Sequence, residues 1–381
     1  MLSYKIMTVQ INRLDRSRHN ILRFHRLAYH IYKGDPNWVA PLLIDRLVLF
    51  SNRNPFFEHA EMEMWVATKD GQDVGRIAAI IDHNYNKFHN DKAAYFGFFE
   101  CVNDFSIARA LFETAFKWAQ ARGAIHILGP MNPSTNEECG LLIEGFDGPP
   151  TFMMPYNPPY YPQLIESVGF QKARDLLAYY VDVKVCPLDK ISKIAERVKN
   201  KIPGLKLNLV TPKTLRNDME KIKKVYNRAW EANWGFVPMT DAEMEFFARR
   251  AKPVFREGLV WYATINEEPV GFLLALPDFN LAFKCLKGRL LTPGVFKALP
   301  FIMGWKTPHR CRVLVLGVVK EYRQRGIETA LLAEGFNAGI KAGITEAEAS
   351  WILEDNIIMC RAMEFFGGKV YRKYRIYDRA I

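Results

Sequence analysis

The segment from Val313 to Leu332 runs from an apolar, strand-like stretch through a basic turn into a helix-like stretch. Arg323, Arg325 and Gly326 lie where this helix would begin. A helix N-terminus presents unpaired backbone N–H groups and the positive end of the helix dipole, and both favour a bound anion. Arginine side chains beside it would add bidentate partners for phosphate oxygens. The segment therefore predicts a strand, loop and helix that together bind a phosphate group.

One residue of this turn opposes an anion. Glu328 places a carboxylate inside the proposed cradle, and a carboxylate repels a nearby phosphate. In the first turn of a helix, however, a glutamate also stabilises the helix end by itself. Either Glu328 points away from a bound anion, or its carboxylate takes the place of the anion.

A second group of reactive side chains lies in the strand-like stretch that follows this helix. Strand alternation places Glu346, Glu348 and Ser350 on one face of the strand and Trp351 on the other. A carboxylate in a central strand is costly to bury alone, so Glu348 is either a functional group such as a general base or the partner of an arginine. Glu354 precedes a helix, where capping is the simpler interpretation and catalysis the second.

The elements that would position these residues occur twice along the chain. Residues 64–82 and 260–278 each predict a strand, a turn and a strand. Residues 106–123 and 326–343 each predict a helix that ends at a glycine. The stretch Val313–Val319 is apolar and uncharged, which predicts a strand buried on both faces.

The two halves differ by long insertions. Residues 131–156 are added to the first half and residues 279–305 to the second. Long insertions in a compact repeat are candidate lids or substrate loops, or they pack two domains together. A polar stretch with one predicted helix separates the halves, and the boundary near residue 185 gives domains 1–185 and 186–381.

Composition excludes several classes of protein. With 381 residues, 49% hydrophobic and 24% charged, the chain is typical of a globular protein with two domains. No uncharged run reaches the roughly 18 residues that span a bilayer, and the first residues lack the apolar core of a signal peptide, so a cytoplasmic protein is expected. The six cysteines and eight histidines are scattered, which predicts neither a metal site nor a disulfide framework.

The net charge of +11 suits an anionic partner such as a nucleotide cofactor, a nucleic acid or a membrane surface. The basic residues are spread among apolar positions and form no long block, so a nucleic-acid partner is not expected. Charge alone does not choose between the remaining partners, and the oligomeric state is left open.

The repeated order of elements resembles the GNAT superfamily of acyl-CoA-dependent N-acyltransferases, and the whole chain resembles bacterial proteins with two such domains in tandem. The resemblance implies an α/β fold of two tandem GNAT-like domains, each a mixed, mostly antiparallel sheet flanked by helices. Arg323–Glu328 stand in the place of the Q/R-x-x-G-x-G/A pyrophosphate loop of the superfamily. Asn157 and Asn356 would lead the last helix of each domain.

The resemblance also implies where acetyl-CoA or another acyl-CoA would bind. The residues implied at this site are Leu316, Val318, Arg323, Gln324, Arg325, Gly326, Ile327, Glu328, Thr329 and Asn356. Backbone N–H groups of Arg323–Thr329 would hold the pyrophosphate, and the strand near Leu316–Val318 would pair with the pantetheine arm and polarise the thioester carbonyl. An amine would attack that carbonyl while a general base, Glu348 or Glu354, removes its proton.

The second domain departs from the superfamily pattern at two positions. Glu328 replaces the second glycine or alanine of the loop. Met363 stands where many members place the tyrosine that protonates the departing thiolate, and Tyr374 of the basic, aromatic final strand is the candidate for that role. The aromatic residue Trp230 lies in a region that borders the acceptor site of GNAT-like domains, although core packing is the favoured interpretation.

The first domain lacks the loop. Asp104 and Ser106 occupy that place and predict an internal cap for the following helix. This domain is therefore predicted to be a structural or substrate-binding copy without catalysis of its own.

The predicted function is the transfer of an acyl group, acetyl in the simplest case, from acyl-CoA to an amine of unknown identity in the C-terminal domain. The apolar, basic insertion at 279–305 favours the hypothesis of a longer acyl chain or an amphipathic acceptor. Two alternatives remain open. The first is a non-catalytic sensor of acyl-CoA or another small molecule, which Glu328 and Met363 permit. The second is an aminoacyl-tRNA-dependent transferase, which the positive charge permits.

Overall fold

A computed structural model describes residues 9–231 and 233–381 of the chain. Backbone contacts divide it into two compact units. Unit 1 runs up to Asp175 and includes Lys287–Leu290 and Lys373–Ile381, and unit 2 comprises Leu176–Leu286 and Leu291–Arg372. The boundary at residue 185 separates the two sequence repeats, whereas these units are defined by backbone contacts. Domains 1–185 and 186–381 therefore stay a prediction.

Unit 1 begins with strands and helices of the first half of the chain. In chain order they are β1 (Gln10–Leu14), α1 (Arg18–Ile31), α2 (Leu43–Leu49), β2 (Ala60–Lys69), β3 (Gln72–Asp82), α3 (His83–His89), β4 (Ala93–Cys101), α4 (Phe105–Gln120), β5 (His126–Gly129), β6 (Met131–Asn132), β7 (Glu138–Cys139), β8 (Leu141–Glu144) and α5 (Tyr161–Glu166). Strand β9 (Gln171–Asp182) follows, and its residues from Leu176 onward belong to unit 2.

Unit 2 continues with the elements of the second half. They are α6 (Leu188–Lys201), β10 (Leu205–Leu209), α7 (Leu215–Ala229), α8 (Asp241–Ala251), β11 (Val260–Ile265), β12 (Glu268–Pro277), α9 (Asn280–Phe283), α10 (Val295–Ile302), β13 (Arg310–Val318), α11 (Ile327–Lys341), β14 (Glu346–Leu353), α12 (Ile357–Phe365) and β15 (Lys369–Ala380). The residues of β15 from Lys373 onward belong to unit 1.

The sheet of unit 1 has the order β1-β2-β3-β4-β5-β15, and β8 also pairs with β15. Its neighbouring strands are antiparallel except for β4 and β5, which are parallel. Helix α4 packs its buried side chains, among them Leu111 and Phe112, against this sheet. The predicted cap is confirmed, because the Asp104 carboxylate accepts hydrogen bonds from the backbone N–H groups of Ser106 and Ile107.

The sheet of unit 2 has the order β10-β11-β12-β13-β14-β9. Strands β13 and β14 are parallel and the other neighbours are antiparallel. The predicted hairpin at 260–278 corresponds to β11 and β12, and the predicted helix at 326–343 corresponds to α11. Helix α11 packs on this sheet and against α6, burying side chains such as Ile327 and Leu331.

Three features of the elements differ from expectation. Strand β13 begins at Arg310, before the predicted start, and its middle residues are only half-buried. Asn157 does not lead a helix, because α5 begins at Tyr161 and the Asn157 side chain instead bonds the backbone of Leu142. Asn356 does cap α12, accepting a hydrogen bond from the Met359 N–H at 3.2 Å.

Among the described residues, no helix is both long and apolar enough to cross a membrane.

Candidate acyl-CoA site

Strands β13 and β14 pair only at their first residues. Arg310–Val313 lie opposite Glu346–Ala349, and the recorded pairing ends there although both strands continue. A cavity of about 110 Å³ lies where the pairing stops. Its walls come from these two strands and from α11 and α12. We call this cavity the strand cleft, and the half-burial of β13 follows from its position along it.

The walls of the strand cleft are largely apolar. Of the residues implied at the acyl-CoA site, Leu316 and Asn356 line it, whereas Val318 is buried and pairs with Gly271 of β12. Met363 also lines the cleft, so a thioether stands where the GNAT superfamily pattern would place a tyrosine. This wall can contact an apolar chain, but Met363 supplies no proton.

A β-bulge interrupts β13 beside the cleft. Leu274 of β12 lies opposite Val315 and Ala275 lies opposite Val313, so Leu314 has no partner in β12. A bulge leaves the extra residue outside the ladder. Leu314 lines the strand cleft, where its backbone is placed to pair with an extended ligand.

The loop before α11 has the geometry of an anion cradle. Gly326 has φ 82° and Gln324 has φ 60°, so the chain turns through two left-handed residues before the helix. Within the described part of the chain, the backbone N–H groups of Gln324, Arg325, Gly326 and Ile327 donate to no protein acceptor. A Cβ at Gly326 would lie 2.7 Å from Cγ2 of Val198, so this glycine permits both the turn and the packing of α6.

The two arginines of the loop have different roles. The Arg323 guanidinium turns inward, where Nε donates to the Val318 carbonyl at 3.0 Å and Nη2 donates to the Ala229 carbonyl. In this structure the Arg323 side chain therefore holds the loop against β13 and α7, and its role as a bidentate phosphate partner stays a prediction. Arg325 is exposed, with its guanidinium 5.1 Å from the ring centroid of Tyr322.

Glu328 is partly buried in the first turn of α11. Burial raises the pKa of the Glu328 carboxyl, and its own backbone amide and Arg323 oppose that shift. Whether the carboxylate points away from a bound anion or takes its place stays a prediction. An anion bound at the cradle would have this charge as a neighbour.

Glu328→Gln should raise the affinity for acyl-CoA, by about three- to tenfold, since the substitution removes one negative charge near the pyrophosphate. The raised pKa means that the folded protein binds a proton more readily than the unfolded chain, so Glu328 lowers stability increasingly as pH rises through that pKa. The variant should be more stable than the wild type at neutral pH, and the difference should shrink in acid. Calorimetric titration and thermal unfolding between pH 4 and pH 8 measure both effects. Weaker binding by Glu328→Gln would show that the carboxylate supports the site.

Glu348 is fully buried in β14 and bonded on both carboxylate oxygens. The hydroxyl of Ser350 donates to Oε1 at 2.5 Å, and the hydroxyl of Tyr371 donates to Oε2. Arg312, which lies opposite Glu348 in β13, donates from Nε to the Ser350 hydroxyl at 2.9 Å. Arg312 therefore contacts the Glu348 cluster through Ser350, and the role of Glu348 as a general base stays a prediction.

A second bulge joins this cluster to the strand cleft. Strand β9 pairs with Ala349 and then with Ile352 of β14, and the register shifts between them. Strict alternation would send Ser350 and Trp351 to opposite faces, but both line the cleft. The Trp351 indole N–H is buried and, among the described residues, has no hydrogen-bond acceptor. Ser350 thus links buried Glu348 to the cavity.

The other two proposed catalytic residues are not part of the cleft wall. Glu354 follows the end of β14 and is partly exposed, and it is not part of the cavity wall. Tyr374 is fully buried in unit 1, pairs with Leu142 of β8 and is not part of the cavity wall, so nothing in the cleft connects it to the role of the acid. The tyrosine that contacts Glu348 is Tyr371. Strand alternation offered the signal, because Tyr371 and Tyr374 lie on opposite faces of the final strand.

Trp230 forms part of the cleft wall. Its ring stacks on Tyr226 with a centroid distance of 5.3 Å, as core packing predicts. It also lies against the backbone of Gly317, where a Cβ would come within 2.2 Å of the indole. Trp230 and Asn233 both line the strand cleft. Trp230 therefore packs in the core, as predicted, and also forms part of the cleft wall.

The corresponding opening in unit 1 is filled by the chain itself. Strands β4 and β5 pair over Ala93–Tyr95 and His126–Leu128. Strand β6 then runs against β4, so that a Cβ at Gly97 would lie 1.7 Å from the Met131 carbonyl oxygen. Asn132 Oδ1 accepts a hydrogen bond from the Phe98 N–H at 2.6 Å. The insertion at 131–156 therefore closes this opening, which supports the prediction of a copy without catalysis.

Comparison with known proteins agrees with the fold. The chain is 36% identical over 367 residues to "Bacterial ceramide synthase" of Caulobacter vibrioides, with 94% of each chain covered. It is 33% identical over 374 residues to "Protein YghO" of Escherichia coli K12, covering 96% of this chain and 94% of the relative. This chain belongs to the family of bacterial ceramide synthase and YghO. No family model matches it.

Solved structures place this family within the GNAT fold. A tandem GNAT protein from the clavulanic acid biosynthesis pathway superposes with a TM-score of 0.60 at 12% identity, and 98% of each chain is covered. A GCN5-related N-acetyltransferase from Sphaerobacter thermophilus gives a TM-score of 0.51 at 13% identity, covering 98% of this chain and 95% of the other. The predicted tandem GNAT-like fold is confirmed.

Proposed function

We propose that the protein is an acyl-CoA-dependent N-acyltransferase whose acyl-CoA site is the strand cleft of unit 2. The observation that carries this proposal is the combination of diverging parallel strands with the free backbone amides before α11. The amides of Gln324 to Ile327 would bind the pyrophosphate, and the exposed Arg325 would add a charge-assisted contact. The fold family supports such a site, and Glu328 is the residue that weakens it.

The wall of the cleft supplies the remaining groups. The pantetheine arm would pair with the bulged backbone of Leu314, and the Trp351 indole N–H would donate to a carbonyl of the bound substrate. The amine must lose a proton as it attacks the thioester carbon. Ser350 would pass this proton to Glu348.

Bond changes in this reaction balance without another reactant. The amide C–N bond forms, the C–S bond breaks and CoA leaves as a thiolate. The amine releases one proton, and the thiolate takes up one proton. Because Met363 cannot donate it, we expect the thiolate to be protonated from the Glu348 cluster or from solvent.

The relative named a ceramide synthase suggests the class of acceptor. A ceramide is the amide of a fatty acid and a long-chain amino alcohol. We infer that this protein acylates a long-chain amine and that the acyl group is a fatty acyl chain rather than acetyl. The apolar lining of the strand cleft and the apolar insertion at 279–305 support this choice.

Acyl transfer should release free CoA thiol only when a long-chain amine is present. The full chain is incubated with palmitoyl-CoA or acetyl-CoA, and thiol release is followed with sphinganine, with a short amino alcohol and without amine. The expected result is turnover at least tenfold faster with palmitoyl-CoA and sphinganine than with the short partners, because apolar contacts discriminate by about 1–3 kcal/mol for each group.

Calorimetric titration with the same acyl-CoAs separates the alternatives. Binding without thiol release for any amine would indicate a sensor, which the carboxylate of Glu328 would then explain. Failure to bind either acyl-CoA would contradict the proposed site.

A further inference from the structure

The insertion of the second half exposes large apolar side chains on unit 2. Leu291 is 99% exposed, Phe296 77%, Trp305 71% and Met303 56%. Single exposed apolar residues are ordinary, but several close together along 15 residues of chain mark an interaction surface. We call these four residues the insertion surface.

The insertion surface rests on an ordered base. Phe296 and Met303 are seven residues apart, which places them on the same face of α10, while Ala298 on the other face is fully buried. Arg256 donates to the Phe301 carbonyl, and its guanidinium lies 5.1 Å from the ring centroid of Phe279. The inner face of α10 is therefore packed, and Phe296 and the C-cap residue Met303 are exposed on its outer face.

The charge around these side chains has one sign. From Phe279 to Lys306 the sequence contains five Lys or Arg residues and no Asp or Glu. Lys297 follows Phe296 directly and Lys306 follows Trp305, and both lysines are exposed. The apolar groups are therefore flanked by cations, and the whole chain carries a net charge of +11.

This combination matches one partner better than others. A bilayer with anionic headgroups accepts aromatic and aliphatic side chains at the acyl boundary and attracts lysines at its surface. A second copy of the chain would bring two basic surfaces together, which like-charge repulsion disfavours. We propose that the insertion surface docks the protein on an anionic phospholipid bilayer, with Phe296 and Trp305 inserted and Lys297 and Lys306 at the headgroups.

Docking is tested by sedimentation of the full chain with vesicles of 70% phosphatidylcholine and 30% phosphatidylglycerol. The wild type should sediment with these vesicles, weakly with pure phosphatidylcholine, and less in 500 mM than in 100 mM salt because the lysine contacts are screened. The double variant Phe296→Ser with Trp305→Ser should partition at least about tenfold less, since both inserted side chains lose their apolar contact.

The matched control is Ile125→Ser with Val185→Ser, which removes two exposed apolar side chains outside the insertion (58% and 64% exposed). It should sediment like the wild type, and thermal unfolding should show that both double variants are folded.

A wild type that does not sediment with anionic vesicles, or a Phe296/Trp305 variant that sediments equally well, overturns the proposal. So does a wild-type dimer that the Phe296/Trp305 variant converts to a monomer in light scattering, because the surface would then join two copies. None of these outcomes depends on acyl transfer, so docking and catalysis fail or stand separately.

Discussion

Replacing Glu348 by glutamine should lower kcat by about 100- to 10,000-fold and leave the affinity for acyl-CoA nearly unchanged. The amide has the shape of the carboxylate but cannot take up the proton of the attacking amine. Glu348 bonds Ser350 and Tyr371 and is distant in sequence from the loop residues Gln324 to Ile327 that are proposed to hold the pyrophosphate. Steady-state thiol release measures kcat and KM, and calorimetry measures acyl-CoA binding.

The control for Glu348 is Glu346→Gln on the same strand. The Glu346 side chain is 29% exposed, and its carboxylate lies 3.8 Å from His309, so its loss should leave kcat within about twofold of the wild type. The split between kcat and acyl-CoA binding in Glu348→Gln separates a base from a structural role, because a structural loss would weaken binding as well as turnover. Near-wild-type turnover in that variant, or a parallel loss of folding and acyl-CoA binding, would contradict the assignment.

Gly326→Val should weaken acyl-CoA binding by about 100-fold. A left-handed backbone costs a residue with a Cβ about 1–2 kcal/mol, and a branched side chain adds a collision with Val198. The loop can relieve both only by moving its backbone, which displaces the free amides of Gln324 to Ile327. Calorimetric titration with palmitoyl-CoA or acetyl-CoA, whichever the wild type binds, measures the loss.

Gly343→Val provides the matched control at the other end of the same helix. Gly343 has φ 85°, and no atom of the described residues lies within 4 Å of a Cβ placed there. The variant therefore carries the same backbone strain without the collision and without contact with the cradle. It should lower the melting temperature while binding acyl-CoA like the wild type. Unchanged affinity in Gly326→Val would place the cradle elsewhere, and equal losses in both variants would indicate a general effect of strain in α11.

Local features of the site were predictable because neighbouring residues decide them. The strand, turn and helix around Gly326, the cap at Asp104 and the cap at Asn356 each depend on backbone groups within a few residues. The conflict between the Glu328 carboxylate and a bound anion was also visible in the sequence. A carboxylate in the first turn of a helix lies near the free backbone amides of that turn in any tertiary structure. The tandem fold was predicted differently, from the resemblance of the repeated element order to the GNAT superfamily.

The partners of buried side chains were not predictable, because they come from distant parts of the chain. The sequence offered Tyr374 as the acid, whereas pairing of the final strand buries Tyr374 in unit 1 and brings Tyr371 to Glu348 in unit 2. Arg323 looked like a phosphate ligand, and the carbonyls that α7 and β13 supply to it could not be foreseen. Alternation separated Ser350 from Trp351, and only a bulge opposite β9 places both in the cleft.

The sequence by itself predicted the strand, turn and helix around Gly326 and the carboxylate of Glu328 within them, since these follow from short-range backbone geometry and charge. The fold class followed from the resemblance of the repeated element order to the GNAT superfamily. Tertiary structure decided which opening remains. In unit 1 the insertion after β5 lies against Gly97 and fills the space, while in unit 2 the space between β13 and β14 is left as a cavity. Local propensity carries no information about that difference, because it depends on which distant segment packs into the gap between two strands.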